Sequence, residues 1–119
     1  MIVELVKEFS FEAAHKLTRV PADHKCARLH GHSFKCEVVV RGEVDPDKGW
    51  FIDYADIADA FEPIRLRLDH YYLNEIDGLE NATSENLVRW IWERLRGLRG
   101  LHRVTVSETC TARCDYFGE

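Results

Sequence analysis

Within CARLHGH, residues 26–32, one thiol and two imidazoles fall close together along the chain. His30 and His32 are separated by a single glycine, so in an extended segment both rings project to one side and can grip one ion. A third ligand has to come from elsewhere. His15, at the end of an upstream apolar stretch, is the candidate if that stretch pairs with the one following His32. Three neutral ring nitrogens with an open fourth position is the arrangement of catalytic rather than structural zinc. Two roles are then open to Cys26: a fourth ligand that closes the metal, or a thiolate base standing beside it. Lys25 and Arg28 flank it, the electropositive setting in which reactive cysteines occur.

Three further side chains carry chemistry in a weaker pattern. In LDHYYLN, Asp69 and His70 could act together, a carboxylate orienting an imidazole and stabilising its protonated form. Adjacent residues of a regular strand point apart, so this pairing requires irregular backbone or a neighbouring subunit. A helix-terminating Asp beside a surface His is the plainer alternative. Glu108, in an apolar stretch between Ser107 and Thr109, reads either as an exposed strand residue or as a carboxylate able to grip a guanidine-like edge through two parallel hydrogen bonds. His24 reads as a solvated loop residue and His102 as surface. Lys16, Arg19, Lys25, Arg28 and Lys35 gather around the motif, either as a solvated basic loop or as a place for a small anion.

The elements that must hold these residues follow from periodicity. VELVKEFSFEA alternates near period two, with Phe9 and Phe11 opposite Ser10 and Glu12, and predicts a strand ending near His15. From His32, the set Phe34, Cys36, Val38 and Val40 against Ser33, Lys35, Glu37 and Arg41 predicts a second, half-buried strand, with Cys36 packed as a small apolar residue. DPDKG forms a turn, and Asp53 caps a helix carrying Ile57, Ala58, Phe61, Ile64 and Leu68, which Pro63 should kink or interrupt. After the loop NEIDGLENAT, Thr83 or Ser84 caps a second helix with the stripe Leu87, Val88, Ile91, Leu95 and Leu98, ending at Gly97 or Gly100. Val104 and Val106 predict a third strand, and a polar turn around Thr111 to Arg113 leads to a short last one. The order strand, strand, helix, helix, strand, strand predicts an α+β domain, a four-stranded antiparallel sheet with two helices on one face. Its two open edges invite pairing between identical copies.

At 119 residues the chain is a single domain, residues 1–119, with one shallow core, so a sizeable substrate would lie at an edge or in a groove shared between copies. The composition, 45% hydrophobic and 31% charged, is that of a globular protein. A net charge of −5 argues against broad nucleic-acid binding, which needs a basic face. The N-terminal stretch interrupts its apolar residues with charges, so it reads as neither signal peptide nor membrane anchor, and the expected location is cytoplasmic. Cys26, Cys36, Cys110 and Cys114 then read as reduced thiols, the last two on a turn.

Taken together, FSFEAAHKL, HKCARLHGHSF, GEVDPDKGWFIDYADI, LDHYYLNEI, GLENATSENL and SETCTARCDYFGE resemble the 6-pyruvoyltetrahydropterin synthase family almost end to end. The resemblance implies the tunnelling fold, copies of which assemble around a central channel as a homo-oligomer, here a hexamer. It implies that His15, His30 and His32 hold Zn²⁺ and that Cys26 is the catalytic base, off the metal. It makes Asp69 and His70 a proton-relay pair and Glu108 the anchor for the pterin's amino and ring-nitrogen edge. Three residues separate Cys26 from His-Gly-His, where the pyruvoyl-forming branch typically has five, which favours the carboxy-forming branch of queuosine-precursor synthesis. The implied activity is that of a lyase acting on 7,8-dihydroneopterin triphosphate. A pyruvoyl-forming or sepiapterin-cleaving enzyme is the near alternative, and a non-catalytic, zinc-stabilised pterin-binding oligomer the alternative of another class.

Overall fold

A computed structural model describes all 119 residues. Strand β1 spans Ile2–His15 and β2 spans His30–Glu43, paired antiparallel along their whole length. Alternation puts Phe11 and Ala13 of β1 and Phe34, Cys36, Val38 and Val40 of β2 on one buried face, where the Phe11 and Phe34 rings stack at 5.2 Å. Both expected strands are present. The second begins two residues earlier than the apolar alternation suggests, at His30.

Helix α1, Tyr54–Leu68, starts where expected: the Asp53 carboxylate accepts from the Ala55 N–H. Ile57, Phe61, Ile64 and Leu68 are buried against the sheet, and Phe61 stacks on Phe9 at 4.1 Å. Pro63 does not interrupt this helix, contrary to expectation. Its ring lies on the exposed face, while Phe61 and Ile64 on either side are anchored in the core, so packing offsets the missing backbone donor. Helix α2, Ser84–Arg94, is capped by Thr83, whose hydroxyl accepts from the Asn86 N–H. It ends at Leu95, before either glycine. Leu87, Val88, Ile91 and Leu95 complete one core with the buried residues of α1 and the sheet, so both helices lie on one face.

Strands β4, Leu101–Thr109, and β5, Ala112–Tyr116, form the final hairpin. The expected four-stranded antiparallel sheet is incorrect. The sheet has five strands in the order β3-β1-β2-β4-β5 and is mixed, because Tyr71–Tyr72 form β3, parallel to Ala13 and Ala14 of β1. Two residues are too few to carry a period, so nothing in LDHYYLN announces a strand. β3 reaches only Ala13 and Ala14, so the outer edge of β1 from Ile2 to Phe11 is bare of strands, as is the outer edge of β5. No helix is long and apolar enough to cross a membrane.

Gly100, just before β4, has φ +76°, and a Cβ there would stand 2.6 Å from the Arg41 carbonyl oxygen and 2.8 Å from the Phe51 ring. Gly97 has open space around it and no positive φ. Gly100→Ala is expected to lower stability by about 1–3 kcal/mol. Gly97→Ala is expected to leave stability unchanged or raise it by up to about 1 kcal/mol by restricting the unfolded chain. Urea unfolding of the two variants compares them directly.

Candidate metal and catalytic site

The β1–β2 register aligns His15 with His30 and Ala13 with His32. All three histidines thus continue the buried face beyond Phe11 and Phe34, and their ligand nitrogens lie within 4.8 Å of one another. His15 is 1% exposed. Its Nδ1 donates to the Ala82 carbonyl at 2.7 Å, and His30 Nδ1 donates to the Arg28 carbonyl at 2.8 Å. A carbonyl can only accept, so these contacts fix the proton on Nδ1 and leave the Nε2 lone pair free in both rings. Nε2 of His15 and Nε2 of His32 are buried without any hydrogen-bond partner. Unpaired buried nitrogens of this kind are costly, and a shared cation would satisfy them. Burial also holds the His32 pKa below its ordinary value, partly opposed by Glu108 and reinforced by His15 and His30. Burial thus favours the neutral ring that a ligand must present. The triad is a site that could hold a metal ion, and its chemistry suits zinc.

Glu108 comes to the same place. The β4–β5 register shifts between Ser107 and Thr109, a bulge that leaves Glu108 out of the ladder. Its carboxylate oxygens stand 3.9 Å from His15 Nε2 and 3.8 Å from His32 Nε2, and Oε1 accepts from Ser84 Oγ at 2.7 Å. Glu108 and His32 line one cavity of about 630 Å³ with Ser33, Ser107 and Thr109. Ser84 was not anticipated as a site residue. The signal was present in TSEN, because a serine after an N-cap threonine sits in the first turn of a helix.

Asp69 and His70 do meet, through irregular backbone within one chain. His70 has φ +65°, the one non-glycine residue in this region. Its Nδ1 lies 3.1 Å from Asp69 Oδ2, while Asp69 Oδ1 accepts from the Glu12 N–H at 2.9 Å. The Glu12 N–H, with the His70 and Arg65 side chains, holds the Asp69 carboxyl below its usual range. Its contribution to folding is thus complete above that range and is lost only as pH falls below it. His70 and His32 line a second cavity, of about 490 Å³, on the other side of Gly31 and Ser33.

Cys26 is half-buried on a 3₁₀ turn, Lys25–Ala27, in the loop between β1 and β2. It is not a member of the histidine cluster and lines neither cavity. Its carbonyl accepts from the Leu17 N–H at 2.8 Å, which ties the turn to the chain leaving His15. Cys36, 0% exposed, has its thiol pKa pushed up by burial, and Cys110 and Cys114 are free. Lys16, Lys25 and Arg28 are exposed around this loop. His15→Ala, His30→Ala and His32→Ala are each expected to abolish stoichiometric metal retention, whereas Cys26→Ala keeps one ion per chain; elemental analysis after desalting reads both.

The chain and its fold are similar to those of known proteins. A 6-carboxy-5,6,7,8-tetrahydropterin synthase from Synechocystis is 43% identical over 95% of this chain and 92% of its own. A dihydroneopterin monophosphate aldolase from Pyrococcus furiosus is 36% identical over 81% of this chain and 77% of its own. The structure of the Caenorhabditis elegans 6-pyruvoyl tetrahydropterin synthase superposes with a TM-score of 0.91 at 29% identity, covering 100% of this chain and 97% of that one. Residues 4–119 match the family described as 6-pyruvoyl tetrahydropterin synthase. With that match spanning nearly the whole chain, and the fold in agreement, the chain belongs to the 6-pyruvoyl tetrahydropterin synthase family.

Proposed function

We propose that the protein is a zinc-dependent 6-carboxytetrahydropterin synthase, converting 7,8-dihydroneopterin triphosphate and one water to 6-carboxy-5,6,7,8-tetrahydropterin, acetaldehyde and triphosphate in queuosine-precursor synthesis. The observation that carries this is the histidine triad, with two unpaired buried nitrogens beside a carboxylate that has acceptor sites to spare. The 43% identity to the Synechocystis enzyme supports the carboxy-forming branch over the pyruvoyl-forming one, as does the three-residue spacing from Cys26 to His30.

Zinc held by His15, His30 and His32 would supply a Lewis acid that polarises the substrate's side-chain oxygens and acidifies the adjoining C–H bonds. Cys26, outside the ligand set, removes a proton from that side chain as general base. Glu108 accepts from the pterin's amino group and ring N–H, and the Ser84 hydroxyl still leaves this carboxylate acceptor capacity on both oxygens. Fixing the ring there turns encounter into alignment. Asp69 orients His70, which relays protons during tautomerisation and carbon–carbon cleavage. Lys16, Lys25 and Arg28 are suited by charge to meet the triphosphate. The bare edges of β1 and β5 support assembly of identical chains around a channel, as a hexamer, with the cytoplasm as the setting.

Anaerobic incubation of zinc-loaded protein with the triphosphate, followed by mass spectrometry, is expected to release acetaldehyde and carboxypterin in equal amounts. A pyruvoyl product, or cleavage of sepiapterin alone, would assign the chain to another branch. Absence of metal-dependent turnover would leave a pterin-binding oligomer. Asp69→Asn keeps an acceptor for the Glu12 N–H but offers His70 Nδ1 an N–H in place of a lone pair, reversing the favoured tautomer. It is expected to fold and retain zinc while kcat falls on the order of a hundredfold or more.

A further inference from the structure

The turn that carries Cys26 is short, and none of the three residues Lys25–Ala27 is fully buried, so side-chain packing does little to fix its shape. Hydrogen bonds hold it at both ends. Both backbone groups of Cys26 are taken: its carbonyl accepts from Leu17, and its N–H donates to His24 Nδ1 at 3.0 Å. The His24 backbone joins in, since its carbonyl accepts from the Ala27 N–H at 3.0 Å and its N–H donates to the Pro21 carbonyl at 2.9 Å. At the far end of the turn, the Arg28 N–H donates to Lys25, and the Arg28 carbonyl orients His30.

His24 therefore occupies the N-cap of this turn, a position usually taken by Asn, Asp, Ser or Thr. A backbone N–H only donates, so His24 Nδ1 must present a lone pair and the ring is the neutral Nε2–H tautomer. A loop residue that reads in the sequence as solvated is the only side chain bonded to the backbone of Cys26.

We propose that His24 is a positioning residue for Cys26, its neutral imidazole holding the turn by accepting the Cys26 N–H. This role rests on the assignment of Cys26 as the general base, and the two stand or fall on different variants.

Steady-state kinetics of the zinc-loaded protein are compared for Cys26→Ala, His24→Ala and His24→Asn, together with amide hydrogen exchange at Cys26 by NMR. An Asn side chain can reach the N–H two residues ahead in the same way, whereas Ala cannot. His24→Ala is expected to lower kcat on the order of tenfold with KM little changed, and to speed exchange of the Cys26 amide by a similar factor. His24→Asn is expected to restore both. His24 is exposed, so neither variant should change the melting temperature or the zinc content. Turnover retained by Cys26→Ala removes the base assignment and this role with it. If Cys26→Ala is inactive, wild-type kcat in His24→Ala overturns the positioning role alone. So does a His24→Asn variant as slow as His24→Ala, because the imidazole would then be needed for something other than capping.

Discussion

The pairing of β1 with β2 is the constraint on which the site depends. Because side chains alternate faces, one register places His15 opposite His30 and brings His32 onto the same buried face; a slip of one residue would send one strand's contribution to the other side of the sheet. Phe11 against Phe34, and Phe9 against Phe61, specify that register through burial. The core thus decides where the three imidazoles converge. Placing three polar rings at the end of an apolar stripe leaves two nitrogens without partners, and that cost is local to the site.

Much of this was legible in the chain. His-x-His on a strand puts two imidazoles on one side, and the strand ending near His15 brings the third as soon as pairing is assumed. The helix cap at Asp53 was equally readable and the second was narrowed to Thr83 or Ser84, because short polar side chains before apolar stripes have few other uses. Pro63 misled, since backbone preference yields where both flanking turns are anchored by buried side chains.

What could not be read was set by backbone irregularity. The strand at Tyr71–Tyr72 is too short to have a period, and the left-handed conformation of His70 that brings its ring to Asp69 leaves no mark in the residue types around it. The bulge at Glu108 is similar: the sequence offers a carboxylate in a strand, while a register shift decides what it faces. Carbonyl partners are also silent, because any residue has one. Ala82 and Arg28 orient two of the three clustered imidazoles through their carbonyls, with no side-chain chemistry of their own.

The start of α2 joins parts of the site that the sequence keeps far apart. In three consecutive residues, the Ala82 carbonyl sets the proton on His15, the Thr83 hydroxyl caps the helix and the Ser84 hydroxyl holds Glu108. One short segment therefore gauges the gap between His15 and the Glu108 carboxylate. Any tilt of α2 would carry both reference points together and preserve their spacing, whereas a change within those three residues would spoil the two settings at once.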